Sequence, residues 1–106
     1  MEYFVDVKKA AAFLPDKMCK TNLFDSPRMF CDVYGFEPGQ SQKMHVHDGS
    51  DKVYYVVEGS GVFQVGEEER LVARGSAVFA PAGAGHAVRN AGDGRLVVLV
   101  FMAPKP

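Results

Sequence analysis

The residues best able to do chemistry are three histidines, and they fall in two places along the chain. His45 and His47 form a His-Val-His triplet. If Lys43 to His47 is extended, the period-2 alternation of a strand puts both imidazoles on one face. Two imidazoles on one face could share a divalent ion at about 2.0–2.1 Å per bond. His86 follows 39 residues later, just past the turn sequence Pro81-Ala82-Gly83-Ala84-Gly85. Taken singly, each histidine is ambiguous, because a lone histidine near a strand is more often a surface or core residue than a ligand. Their grouping raises the metal reading without deciding it.

The elements that must position these side chains read as short strands. From about residue 28 onward, β-rich runs alternate with glycine and proline. The runs are Met29–Tyr34, Val53–Val57, Val62–Val65, Leu71–Ala73, Ala77–Ala80, Ala87–Arg89 and Leu96–Phe101. The last is apolar throughout and is expected to be covered on both faces. Pro38-Gly39 suits a type II turn, and Glu67-Glu68-Glu69 reads as a solvated hairpin turn. Val7 to Leu14 could form two helical turns, stopped by Pro15. About eight short strands with turn signals every 8–12 residues imply a sandwich or barrel. Closure also removes exposed strand edges, and an interior lined from every strand can hold a small ligand.

Composition restricts the function classes. The chain has 106 residues, 47% hydrophobic and 24% charged, with a formal net charge of −1. That is a single globular domain with a real core. The 12 basic residues are dispersed, unlike the clustered basic footprint of a nucleic-acid binder. The longest apolar run, Leu96 to Ala103, is far too short to span a bilayer, so no membrane role is expected. Asp6 and the Lys8-Lys9 pair stand where a signal peptide would carry its apolar stretch, and a cytoplasmic location follows as the expectation. Cys19 and Cys31 form neither a redox pair nor a zinc ribbon by spacing and are read as reduced, packed thiols.

These residues together resemble the cupins. The first cupin motif runs G-x5-H-x-H-x(3,4)-E-x6-G, and Gly39, His45, His47 and the closing Gly59 match it. The second runs G-x5-P-x-G-x2-H-x3-N, and Gly75, Pro81, Gly83, His86 and Asn90 match every fixed position. The resemblance covers about residues 29–103. It implies an all-β double-stranded β-helix, a jelly-roll barrel over residues 28–104, preceded by a short helical or extended arm over residues 1–27. It implies a divalent metal in the barrel mouth held by His45, His47 and His86. Imidazole ligands suit zinc, iron, nickel and copper; manganese is a further candidate.

The pattern is broken at one place. The family's fourth ligand is usually a glutamate, and counting back from Gly59 puts Lys52 there. Asp51 is the alternative under the shorter spacing, but strand parity aims it away from residues 52, 54 and 56 unless a bulge intervenes. The simplest site is therefore three histidines without a carboxylate. An ammonium beside a divalent ion is disfavoured. Lys52 is expected to lay its stem along the wall with its head in solvent; alternatively it binds an anionic substrate. Asp51 could reach the metal through a water. By parity Tyr54, Val56 and Val88 line the interior, and Gln64 could face either way. Asn90 is read as structural, with Gly39, Gly59, Gly75, Pro81 and Gly83. Phe79 and Phe101 are assigned to the core.

Two functions remain. One is a metal-dependent enzyme, since a three-histidine ion leaves coordination positions open. Dioxygenase, isomerase and lyase chemistry all occur among cupins, and the fold does not choose among them. The other is a non-catalytic module that binds a small molecule or senses the metal. Such modules are often fused to a DNA-binding domain, for which this chain has no room, and that favours the enzyme. By resemblance a homodimer is expected, with residues 1–24 long enough to reach a partner.

Overall fold

A computed structural model describes residues 2–106. One short helix, α1 (Val7–Ala10), precedes nine strands. They are β1 (Cys19–Asp25), β2 (Phe30–Phe36), β3 (Ser41–His45), β4 (Asp51–Glu58), β5 (Ser60–Val65), β6 (Glu68–Ala73), β7 (Ala77–Ala80), β8 (His86–Arg89) and β9 (Leu96–Ala103). The strands form two antiparallel sheets, ordered β1-β2-β9-β4-β7 and β3-β8-β5-β6. This is the all-β, double-stranded β-helix expected from the sequence.

Alternation builds the core. On β9, Leu96, Val98, Val100 and Met102 face inward and are buried. Leu96, Val98 and Val100 pack in one cluster with Tyr34, Phe36, Tyr54, Val56, Phe63 and Val88 from the surrounding strands. Each fully buried aliphatic of this kind contributes about 1.5–3 kcal/mol of transfer free energy.

Several expectations need correction. Helix α1 makes one turn rather than two: Asp6 caps it through Lys9 N at 3.2 Å, and Ala11 is already extended. The segment 1–27 is more than an arm, because β1 pairs with β2 along most of its length. Its polar, poorly alternating sequence, Cys-Lys-Thr-Asn-Leu-Phe-Asp, hides it from pattern reading. The hairpin turn is confined to Gly66-Glu67, and Glu68 and Glu69 belong to β6. Phe79 and Phe101 are not core residues. They flank Val53 on the outer face of the five-stranded sheet, 57% and 36% exposed. The outer face of β9 is covered at Val97, half-covered at Leu99 and open at Phe101.

Glycines occupy the tight places. Gly59 has φ +79, and an added Cβ would sit 2.3 Å from the backbone oxygen of Arg95. Both conformation and space therefore demand glycine between β4 and β5. Gly39 and Gly75 lie in the turns before β3 and β7. Among the described residues no helix is long and apolar enough to cross a membrane. Cys19 and Cys31 are free thiols, and burial pushes Cys31 up to about 11, with Asp32 adding to the shift.

Candidate metal centre

His45 and His86 are register partners on β3 and β8. His47 lies two residues past the end of β3, yet its ring returns to the same place. Ring centroids are 4.1 Å apart for His45–His86, 4.9 Å for His45–His47 and 5.6 Å for His47–His86. One potential ligand atom from each lies within 4.8 Å of the others.

The turn before His86 explains its placement. Ala84 N donates to Pro81 O at 3.0 Å, and Gly83 takes φ +85 at the third position. That positive φ is what a type II turn requires of its third residue, so glycine is the natural occupant. The same turn is tied to the neighbouring loop: Gly83 N donates to His47 O at 2.9 Å.

Hydrogen bonds set the ring nitrogens. The Lys43 carbonyl lies 2.9 Å from His45 Nδ1, and the Ala84 carbonyl lies 3.1 Å from His86 Nδ1. A carbonyl only accepts, so in both rings Nδ1 carries the proton and Nε2 keeps its lone pair. His86 Nε2 is buried and has no hydrogen-bond partner. A buried polar atom without a partner is costly unless something binds it. Burial also lowers the pKa of all three rings, with His86 going down to about 4. On His45 and His86 the backbone carbonyls oppose burial, and nearby positive charge, including Lys52, adds a smaller push downward on all three. Neutral imidazoles with oriented Nε2 lone pairs and an orphaned, buried nitrogen are what a divalent ion needs. The residues fit the metal.

Lys52 faces inward and is 2% exposed, so its head does not reach past the wall into open solvent as expected. Nζ sits 5.3 Å from the Tyr34 ring centroid and 4.9 Å from that of Tyr54, a cation–π cradle. Burial brings its pKa down to about 8; Lys20 pushes it further down and Asp32 opposes. Asp51 faces the other way. Its Oδ1 accepts from Ala82 N at 2.9 Å, so it holds the turn and is not part of the histidine group.

Tyr54, Val56 and Val88 are buried inside. Gln64 is not in the interior: it pairs with Ala87 and Glu69, opposite in face to Phe63 and Val88, and donates to Gly66 O at 3.1 Å. Asn90 is a tie for its loop. Nδ2 donates to Phe36 O at 3.1 Å and Gly94 O at 2.8 Å, and Oδ1 accepts from Gly92 N at 3.1 Å.

Three pocket residues escaped the sequence reading. Gln42 is buried; Tyr54 OH donates to its Oε1 at 3.0 Å, and its Nε2 donates to Tyr34 OH at 3.4 Å. Strict alternation back from His45 would turn Gln42 outward, but the β3–β8 register shifts between Gln42 and His45. Tyr34 and Lys20 come from β2 and β1, which carry no motif, and Lys20 Nζ lies 5.3 Å from the Tyr34 ring. The centre is thus three neutral imidazoles beside two ammonium groups.

A double-stranded β-helix with a converging His-x-His and a third histidine after a Pro-x-Gly turn is the arrangement of a cupin domain with a three-histidine group. The chain belongs to this family: the family model described as the cupin domain matches residues 32–102. A solved structure of TT1209 from Thermus thermophilus is 52% identical over 99% of this chain and 100% of that one, with a TM-score of 0.96. The protein SCO3923 of Streptomyces coelicolor is 38% identical over 73% of this chain and 72% of its own length. An oxalate-binding protein of Thermotoga maritima is 28% identical over 80% of this chain and 69% of its own.

Proposed function

We propose that the protein is a metal-dependent cupin that takes a small organic anion at a centre formed by His45, His47 and His86. The observation that carries this reading is Lys52, a buried ammonium where the family usually has a carboxylate ligand, beside three neutral imidazoles. A bound divalent ion would supply Lewis acidity and open coordination positions for a carboxylate or enolate oxygen. Lys52 and Lys20 then offset the anion's charge, and the Tyr34–Gln42–Tyr54 hydrogen bonds keep the wall rigid. Burial drives the Tyr34 hydroxyl up to about 12, and raises that of Tyr54, so both stay protonated at neutral pH. The reaction class is proposed as dioxygenase, isomerase or lyase chemistry on such an acid.

A second reading, binding without turnover, draws support from the oxalate-binding relative. The chain is further proposed to act in the cytoplasm and to pair as a homodimer.

Titration of cobalt-loaded protein with acetate and oxalate, followed by the visible cobalt spectrum, tests the anion site. Saturable binding is expected, weakened at least tenfold in Lys52→Met. No spectral response to either anion would overturn the reading. Dioxygen uptake and product analysis with a panel of small acids and phenols then separates the enzyme from the binder.

A further inference from the structure

Strands β6 and β7 follow one another in the chain, yet each is the last strand of a different sheet. Nothing pairs them, so the barrel has an open seam there. The seam leads into a cleft of about 660 Å³, within the range of small-molecule sites.

Register places this cleft beside the metal centre. On the inner face of the four-stranded sheet one row runs His45–His86–Val65–Glu68. The next row runs Gln42–Val88–Phe63–Arg70. Phe63, Val65, Val72 and Val78 line the cleft, and Arg70 and Glu68 stand at its rim. Val65 is the direct neighbour of the ligand His86. Two interstrand steps, about 9–10 Å, separate the His86 backbone from that of β6. The Phe63 ring packs on Tyr54 at 5.3 Å, and Tyr54 lies 6.1 Å from His86. Apolar side chains line the cleft beside two charged ones; the histidines and Lys52 are not among its lining residues, and Val65, the register partner of His86, is the link between cleft and centre. That arrangement suits an amphiphilic acid rather than a small polar one. The rim pair Arg70–Glu68, at 3.5 Å and largely exposed, is a weak surface contact that leaves the guanidinium mobile.

We propose that the β6–β7 cleft is a second subsite of this centre, which takes the flat apolar body of an organic acid whose anionic end lies at the histidines and Lys52. The anionic end rests on the function proposed above; the subsite for the apolar body has its own readout. Cobalt-loaded protein titrated with acetate and with 4-phenylbutyrate, an acid of about the right length, tests it. The wild type should bind 4-phenylbutyrate at least tenfold more tightly than acetate. Arg70→Trp, at an exposed position that folding tolerates, lays an indole over Phe63 and should collapse that preference toward one. In metal-free protein, 4-phenylbutyrate should still shift the amide NMR signals of Phe63, Leu71 and Val72. If those shifts occur while neither acid alters the cobalt spectrum, the subsite stands and the anion site at the metal falls. Equal affinity for the two acids, with no such shifts, overturns the subsite. A change of oligomeric state in Arg70→Trp, measured by light scattering, would mean that a second chain covers the seam, and would overturn it too.

Discussion

Asp51 Oδ1 accepts a hydrogen bond from the Ala82 amide at 2.9 Å, turned away from the histidines it was a candidate to join. The adjacent Gly83 amide donates to the His47 carbonyl. Two hydrogen bonds therefore clamp the turn that delivers His86 to the loop that delivers His47. Asp51 acts on the three histidines through this clamp and is not one of their group.

Asp51→Ala should accordingly weaken metal binding by less than tenfold, whereas His47→Ala removes a ligand and should weaken it more than a hundredfold. Dissociation constants for zinc, measured by competition with a chelating dye, distinguish the two. Equal losses in both variants would return Asp51 to the ligand set.

Lys52 should make stability rise with alkaline pH. Its folded pKa, about 8, lies below the ordinary 10.5 because of burial and Lys20. Below pH 8 it is charged in both states and the burial penalty is complete. Between pH 8 and 10.5 the folded state releases its proton first, the unfolded state binds more protons, and stability rises with pH. The full rise is on the order of 3 kcal/mol. Cys31 and Tyr34, whose pKa values are raised, act in the opposite direction at high pH, so the comparison must be between proteins that share them. Urea unfolding of metal-free wild type and Lys52→Met should show the variant more stable at pH 7.5 and the gap narrowed at pH 10.5. Parallel pH profiles would mean that the buried ammonium costs nothing.

Asn90→Ala should cost about 2–3 kcal/mol, since it leaves three backbone groups without their partner around a buried loop. Chemical denaturation reads this directly, and a loss under about 0.5 kcal/mol would remove Asn90 from its structural role. Metal stoichiometry in the folded variant should be preserved.

The barrel and the three histidines are legible in the sequence because both rest on local signals. Positive-φ glycines mark the turns, period-2 runs mark the strands, and the motif spacing carries the ligands. Parity turns Lys52 inward, but its burial cannot be read from parity, because the Tyr34 ring that cradles it comes from a strand without a motif. Gln42 is hidden by an irregularity that breaks alternation within five residues of sequence. Phe79 and Phe101 are misplaced by composition because aromatic character alone does not say which face of a sheet is covered.

The central claim is that His45, His47 and His86 together hold one divalent ion. Elemental analysis of the purified protein, compared with His86→Ala, tests it most directly. Wild type should carry close to one zinc, iron, nickel, manganese or copper ion per chain, or take one up stoichiometrically after dialysis. His86→Ala should retain less than a tenth of that while keeping its β-sheet circular dichroism. A wild type that takes up none of these ions, or a folded His86→Ala with undiminished metal, would contradict the account.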